Sequence, residues 1–193
     1  MKQNETRQLL LEGTIRVLAR EGIDKATTKQ IGLETAKNEA YIYRCFEDKE
    51  DLFAKTFDLL DDELANNMLQ NLTVMEREEI PFYERFRMYF DAVWNFLLQN
   101  REKCLAYVRL YYSPYFSRYC AENHKRRFEP LVRRTRVVFK DEADVWMILN
   151  LVMNVMLDFA IKVHNGLMPV SEDYSEHVFR VVYRSIEQYF QKK

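Results

Sequence analysis

At 193 residues with a 48% apolar fraction, the chain can bury one core or two small ones, and with only four glycines and four prolines it lacks the turn signals of a sheet-rich protein. An all-α fold is therefore predicted. A net charge of −1 gives no overall bias toward nucleic acid, and three cysteines, Cys45, Cys104 and Cys120, with no CxxC spacing point to reduced thiols, not to a disulfide framework or a zinc site.

The charge is unevenly placed. Lys and Arg stand 9 against 10 Asp and Glu over residues 1–53, but 11 against 3 over residues 101–140. Any nucleic-acid interface in the first segment must then rest on a few positioned side chains. No run of about 18 apolar residues and no apolar leader stretch is seen, so a soluble, cytoplasmic protein without a membrane partner is expected.

Residues 4–20 carry Leu9, Leu10, Ile15, Val17, Leu18 and Ala19 at helical spacings, with Gly22 as a stop. Thr27 stands three residues before Gln30, a capping-box arrangement that starts a short helix reaching about Thr35. Asn38, a favoured cap residue, opens a third helix over about 39–45, in which Ile42 and Phe46 share a face that should pack inward with Ile31. Asp48 caps a longer helix running to about Leu72.

Pro81 opens a helix over 82–99, and 102–112 reads as another, stopped before Pro114. A basic helix is expected over 115–137, kinked or broken at Pro130, and two more over 142–164 and 172–190. That makes about nine helices: an N-terminal three-helix unit over 1–53 and a helical bundle over 54–193.

Two short helices joined by a tight turn and packed on a preceding helix can present the second to a DNA major groove. The run from Glu21 to Gly32 (EGIDKATTKQIG), followed by Ala40 to Leu52 (AYIYRCFEDKEDL), resembles the N-terminal helix-turn-helix domain of TetR-type transcriptional regulators over about 45 residues. The resemblance implies that Thr28, Tyr43 and Lys49 contact phosphates. Their hydroxyl, phenol and ammonium groups are all suited to donate to phosphate oxygens.

Base reading would fall to Lys29, Glu39, Ala40, Tyr41 and Arg44, residue types that match guanine, cytosine and thymine edges. Thr27 and Asn38, at the two helix starts, complete the DNA-facing set. The sequence departs from the family pattern in the turn, where Thr35-Ala36-Lys37-Asn38 replaces Ala-Gly-Val-Ser, and at Tyr41, which replaces a common threonine. Lys37 at the valine position must snorkel or turn toward DNA.

In such regulators the C-terminal helices bind an effector and pair with a second copy, so the resemblance implies a homodimer on double-stranded operator DNA. The segment 142–164 is apolar on more than one face. Val145, Leu149, Val152 and Phe159, with Val178, Val182 and Ile186 from the last helix, are the candidate dimer residues. Phe86, Phe90, Trp94, Tyr107, Tyr111, Phe116, Met147, Met153 and Met156 are candidates for an adaptable pocket taking an apolar or aromatic small molecule. The basic run adds a second possibility, an anionic effector held through Arg109 or Arg133.

The expected function is a repressor released from its operator by that effector. The competing expectation is a regulator whose C-terminal domain docks a protein. An enclosed cavity of roughly 300 Å³ or more would favour the small molecule. No nucleophile-base pair, phosphate loop or metal-ligand spacing points to an enzyme, and no cofactor or metal is expected; His124, His164 and His177 read as core or surface residues.

Overall fold

A computed structural model describes residues 2–191. In chain order its helices are α1 (Lys2–Glu21), α2 (Thr28–Glu34), α3 (Glu39–Cys45), α4 (Lys49–Asn71), α5 (Phe82–Gln99), α6 (Arg101–Tyr111), α7 (Ala121–Thr135), α8 (Val145–His164) and α9 (Glu172–Ile186). Among the described residues the fold is all-α, with one isolated antiparallel bridge between Phe139 and Phe190.

The helix starts follow local chemistry. The Thr27 hydroxyl accepts from the Gln30 amide at 3.2 Å, and the Gln30 side chain accepts from the Thr27 amide at 3.1 Å, which is the reciprocal box predicted for α2. Asp48 accepts from the Asp51 amide at 2.7 Å before α4, and Ser171 from the Tyr174 amide at 3.2 Å before α9. Gly22, at φ +83°, ends α1 in the left-handed conformation that costs glycine little.

Several boundaries differ from expectation. Asn38 precedes α3 without a side-chain capping bond. The predicted helix over 115–137 is replaced by a π-helical turn over Phe116–Cys120 and then α7, which carries Pro130 without a break. The carbonyl that Pro130 cannot bond belongs to the exposed Arg126, where water can satisfy it. The eighth helix begins at Val145, because Asp144 accepts from the Met147 amide at 3.0 Å and fixes the cap there.

The chain forms two compact units, Met1–Glu63 with Glu102–Arg126, and Leu64–Arg101 with Arg127–Lys193. The first is thus larger than the 1–53 segment and takes in α6. Its core holds Leu10, Leu18, Ile31, Ile42, Phe53 and Phe57. Within it Asp61 on α4 is fully buried, accepting from Tyr107 at 3.1 Å and lying 2.9 Å from His124 Nδ1, with the rings of Phe57, Tyr111 and Phe116 around the histidine.

In the second unit α5 packs on α8 and α9. Phe179 on α9 meets Phe90 and Tyr83, each with ring centroids 5.3 Å away, and the Arg87 guanidinium 4.9 Å from its ring. Helix α8 has a mean hydropathy of 1.6 and is long and apolar enough to cross a membrane. Ile148, Met156, Leu157 and Ala160 are buried within the unit, so much of its apolar surface serves the core.

Candidate functional site

The α2–α3 pair is held from behind by α1. Arg16 and Arg20 bind the Glu34 carboxylate at 2.7 and 3.0 Å, clasping α2, and these hydrogen bonds, Arg16 first, keep its carboxyl below the usual range. Arg7 donates to the Cys45 carbonyl at 2.5 Å and lies 4.4 Å from the Phe46 ring, which locks the C-terminal end of α3. Ile31, Ile42 and Phe46 are buried together, as their spacing predicted.

Between α2 and α3 the backbone turns tightly. A Cβ on Gly32 would lie 2.7 Å from the Lys37 carbonyl oxygen, so the close approach requires glycine. Ala36 sits at φ +52°, where an L-residue is strained. Ala36→Gly is expected to stabilise the protein by about 0.5–1 kcal/mol in urea unfolding, the strain relief outweighing the greater chain entropy of glycine. A destabilised variant would show that the turn tolerates alanine.

On the outer face Thr27, Lys29, Asn38, Ala40, Tyr41, Tyr43 and Arg44 are exposed, and Thr28, Glu39 and Lys49 are half-buried. Tyr43 is 57% exposed, free to present its phenol. Tyr41 lies between two cations, with Lys37 Nζ 5.6 Å and the Arg44 guanidinium 5.3 Å from its ring. Lys37 therefore reaches over an aromatic neighbour, and its charge stays on the outer face.

The Thr28 hydroxyl donates to the Glu39 carboxylate at 3.1 Å, a bond the motif did not reveal. To meet a phosphate this hydroxyl must exchange partners. Lys49 Nζ lies 4.9 Å from the Phe53 ring at the start of α4. The face can thus donate through a phenol, a hydroxyl and several cations, in the absence of bulk positive charge.

The pocket candidates separate. Phe86, Phe90, Met153 and Met156 line an apolar cavity of about 100 Å³ inside the second unit, with Met68 and Tyr89 also in its wall. Trp94 lies instead on a wider, more polar cleft of about 420 Å³ beside Arg87, Asp91 and Tyr174. Tyr107, Tyr111 and Phe116 belong to the first unit, where they pack around Asp61 and His124, so they do not line this cavity. Met147 is 51% exposed on α8.

The dimer candidates separate as well. Val145, Val178, Val182 and Ile186 are buried within their own unit, while Leu149, Val152 and Phe159 are half-buried. The first four cannot meet a partner without unpacking that core. The large apolar residues left outward on α8 and α9 are Met147, Leu151 and Val181, the last 50% exposed. A helix apolar on several faces does not reveal which face its own subunit covers.

The cysteines form no disulfide among the described residues, and burial pushes the Cys104 thiol up to about 12, far from a reactive thiolate. Arg109 donates to the Leu18 carbonyl at the end of α1. It is committed to the scaffold of the first unit.

Residues 10–56 match the family model described as bacterial regulatory proteins, tetR family. No curated protein matches the chain. Among solved structures, a TetR family transcription regulator from Marinobacter aquaeolei VT8 shares the fold at a TM-score of 0.76, with 18% identity over 100% of both chains. The transcriptional regulator FadR from Bacillus subtilis, in complex with stearoyl-CoA, has a TM-score of 0.68 at 12% identity, covering 91% of this chain and 96% of its own. The multidrug binding protein EbrR, complexed with imidazole, has a TM-score of 0.66 at 14% identity, covering 91% and 93%.

Proposed function

We propose that this chain, whose residues 10–56 match the tetR family model, is a DNA-binding transcriptional regulator of that type, acting as a cytoplasmic homodimeric repressor released from its operator by a small apolar or aromatic molecule. Residues 1–53 then bind DNA, and residues 54–193 dimerise and bind the effector. Tyr43, Thr28 and Lys49 hold phosphates, while Lys29, Glu39, Ala40, Tyr41 and Arg44 face base edges, with Thr27 and Asn38 beside them.

The observation that carries the reading is helix α4. It starts at Lys49, directly after the recognition segment, and it places Met68 in the wall of the apolar cavity. At about 100 Å³ the cavity falls short of the roughly 300 Å³ expected of an enclosed ligand pocket, so its volume alone does not favour a small molecule over a docked protein, and a ligand must displace wall side chains to enter. Methionines such as Met68 and Met153 allow this, being unbranched and easily reoriented. A ligand too large for side-chain reorientation alone presses on the α4 backbone at Met68, and α4 carries Lys49. Such a switch needs an effector that prefers one state, and a coupling of about 1–3 kcal/mol is ordinary.

Two recognition helices must reach half-sites about 34 Å apart, which a twofold dimer supplies. Met147, Leu151 and Val181 are the apolar residues available for that pairing. Leu151→Arg is expected to give monomers at micromolar concentration in sedimentation velocity with an unchanged helical circular dichroism spectrum; a persistent dimer would move the interface elsewhere.

The DNA-binding test is a gel shift on the fragment upstream of the chain's own gene. Tyr43→Ala removes one phosphate bond from each half-site, together about 3 kcal/mol, or roughly a hundredfold in affinity. Wild-type affinity in this variant would overturn the site assignment.

A further inference from the structure

We propose that the cavity of the second unit takes an amphiphilic acid, whose apolar body lies among the methionine and phenylalanine side chains and whose carboxylate is held by the Tyr89 hydroxyl and the Arg134 guanidinium. The proposal rests on the effector reading above and names the chemical class that this cavity selects.

Tyr89 on α5 lines the cavity, and its hydroxyl oxygen is buried without a hydrogen-bond partner. A buried hydroxyl left in this state costs about 1–3 kcal/mol, which an entering acceptor recovers. The surrounding wall offers little that could satisfy it. Thr135, the one other hydroxyl there, already donates to the Leu131 carbonyl at 2.8 Å. Burial pushes the Tyr89 phenol up, against the opposing pull of nearby Arg134, so at neutral pH it is a protonated donor.

Among the described residues, Arg134 is the one cation in the cavity wall and Glu76 the one anion. They bind each other at 2.5 Å, and Arg134 also reaches the Leu69 carbonyl at 3.4 Å. Glu76 is largely exposed, so a ligand carboxylate can replace it on Arg134 with charge conserved and Glu76 left to water. A cationic head would face Arg134 instead. Of the arginines singled out by the basic run, Arg133 does not line the cavity, so the anion site falls one residue later, on Arg134.

The exchange has a structural consequence. Glu76 closes the 3-10 turn Leu72–Glu76 that directly continues α4. Displacing Glu76 from Arg134 loosens that turn at the end of the helix whose other end carries Lys49. An acid therefore acts on α4 through both its head and its body, whereas a neutral apolar ligand acts through its body alone.

The test uses the purified full chain and straight-chain carboxylates of six to twelve carbons, with the matching alcohols and amines. Binding is followed by calorimetry and operator release by anisotropy. The acids are expected to bind about tenfold tighter than the amines, and Tyr89→Phe and Arg134→Gln each to weaken the acids about tenfold. In the absence of ligand, Tyr89→Phe should melt at the same temperature or higher, because it removes an unsatisfied group.

Equal binding of acids and amines, or acid binding insensitive to Tyr89→Phe, would overturn the acid assignment while leaving a small-molecule effector in place. Failure of all three head groups to bind would overturn both.

Discussion

Asp61→Ala is expected to destabilise the protein by about 2–4 kcal/mol, because it removes a buried acceptor shared by two polar groups and leaves a void. The carboxylate is 0% exposed, with Tyr107 donating at 3.1 Å and His124 Nδ1 at 2.9 and 3.1 Å from its two oxygens. Alanine removes an acceptor that a phenol and an imidazole share within a wall of aromatic rings. Each loses a hydrogen bond made away from water, and the vacated volume adds a cavity term.

The loss is large against a total stability of about 5–15 kcal/mol. It should appear in urea unfolding as a lower midpoint with an unchanged slope. The double variant Asp61→Ala with His124→Ala should cost less than the sum of the two single changes, since each removes a partner that the other needs. An Asp61→Ala loss below about 1 kcal/mol would show that water reaches the carboxylate. Because the pair joins α4, α6 and α7 inside the first unit, the same variant should also weaken operator binding.

Phe179→Ala is expected to cost about 3–5 kcal/mol by a different route, the loss of buried area together with the void left behind. Phe179 is 0% exposed and meets Tyr83, Phe86, Phe90 and Tyr183 at centroid distances of 5.3, 6.1, 5.3 and 5.8 Å. Its ring also carries the Arg87 guanidinium at 4.9 Å. The edge-to-face pairs with Tyr83 and Phe90 add about 0.5–1.5 kcal/mol each beyond area, so the upper half of the range is expected.

Phe86 and Phe90 also line the apolar cavity, so the void adjoins it. The variant should bind small apolar probes better while melting lower, and the two readouts together separate a packing effect from general unfolding. Phe179→Leu keeps most of the volume and should lose under half as much. A loss below about 1.5 kcal/mol for Phe179→Ala would mean that α9 collapses onto the gap.

What was legible in the sequence and what was not follow the reach of each interaction. The Thr27–Gln30 box, the Asp48 cap, the stop at Gly22 and the shared burial of Ile31, Ile42 and Phe46 were readable because the groups lie within a few residues of each other. The strained Ala36 was readable as the departure from glycine in the turn. Of the ten residues proposed for DNA, seven stand exposed on two short consecutive helices and their immediate flanks.

Other features depend on which distant element arrives at a face. His124 reads from the sequence as a core or surface residue and Tyr107 as a pocket aromatic; that both meet Asp61 is decided only where three helices converge. Val178, Val182 and Ile186 looked available to a partner because an amphipathic pattern identifies the apolar side of a helix but not the body that covers it. Pro130 passes within α7, and Phe139 bridges Phe190, for reasons set by exposure and by pairing across 51 residues.

The sequence by itself determined the two short capped helices and the side chains they turn outward, because caps, turns and short periodicities close locally. Only the tertiary structure decided that four of nine pocket candidates share one cavity, and that Tyr89 and Arg134 are its polar elements. Burial is a property of what surrounds a side chain, and no local pattern in one helix encodes it.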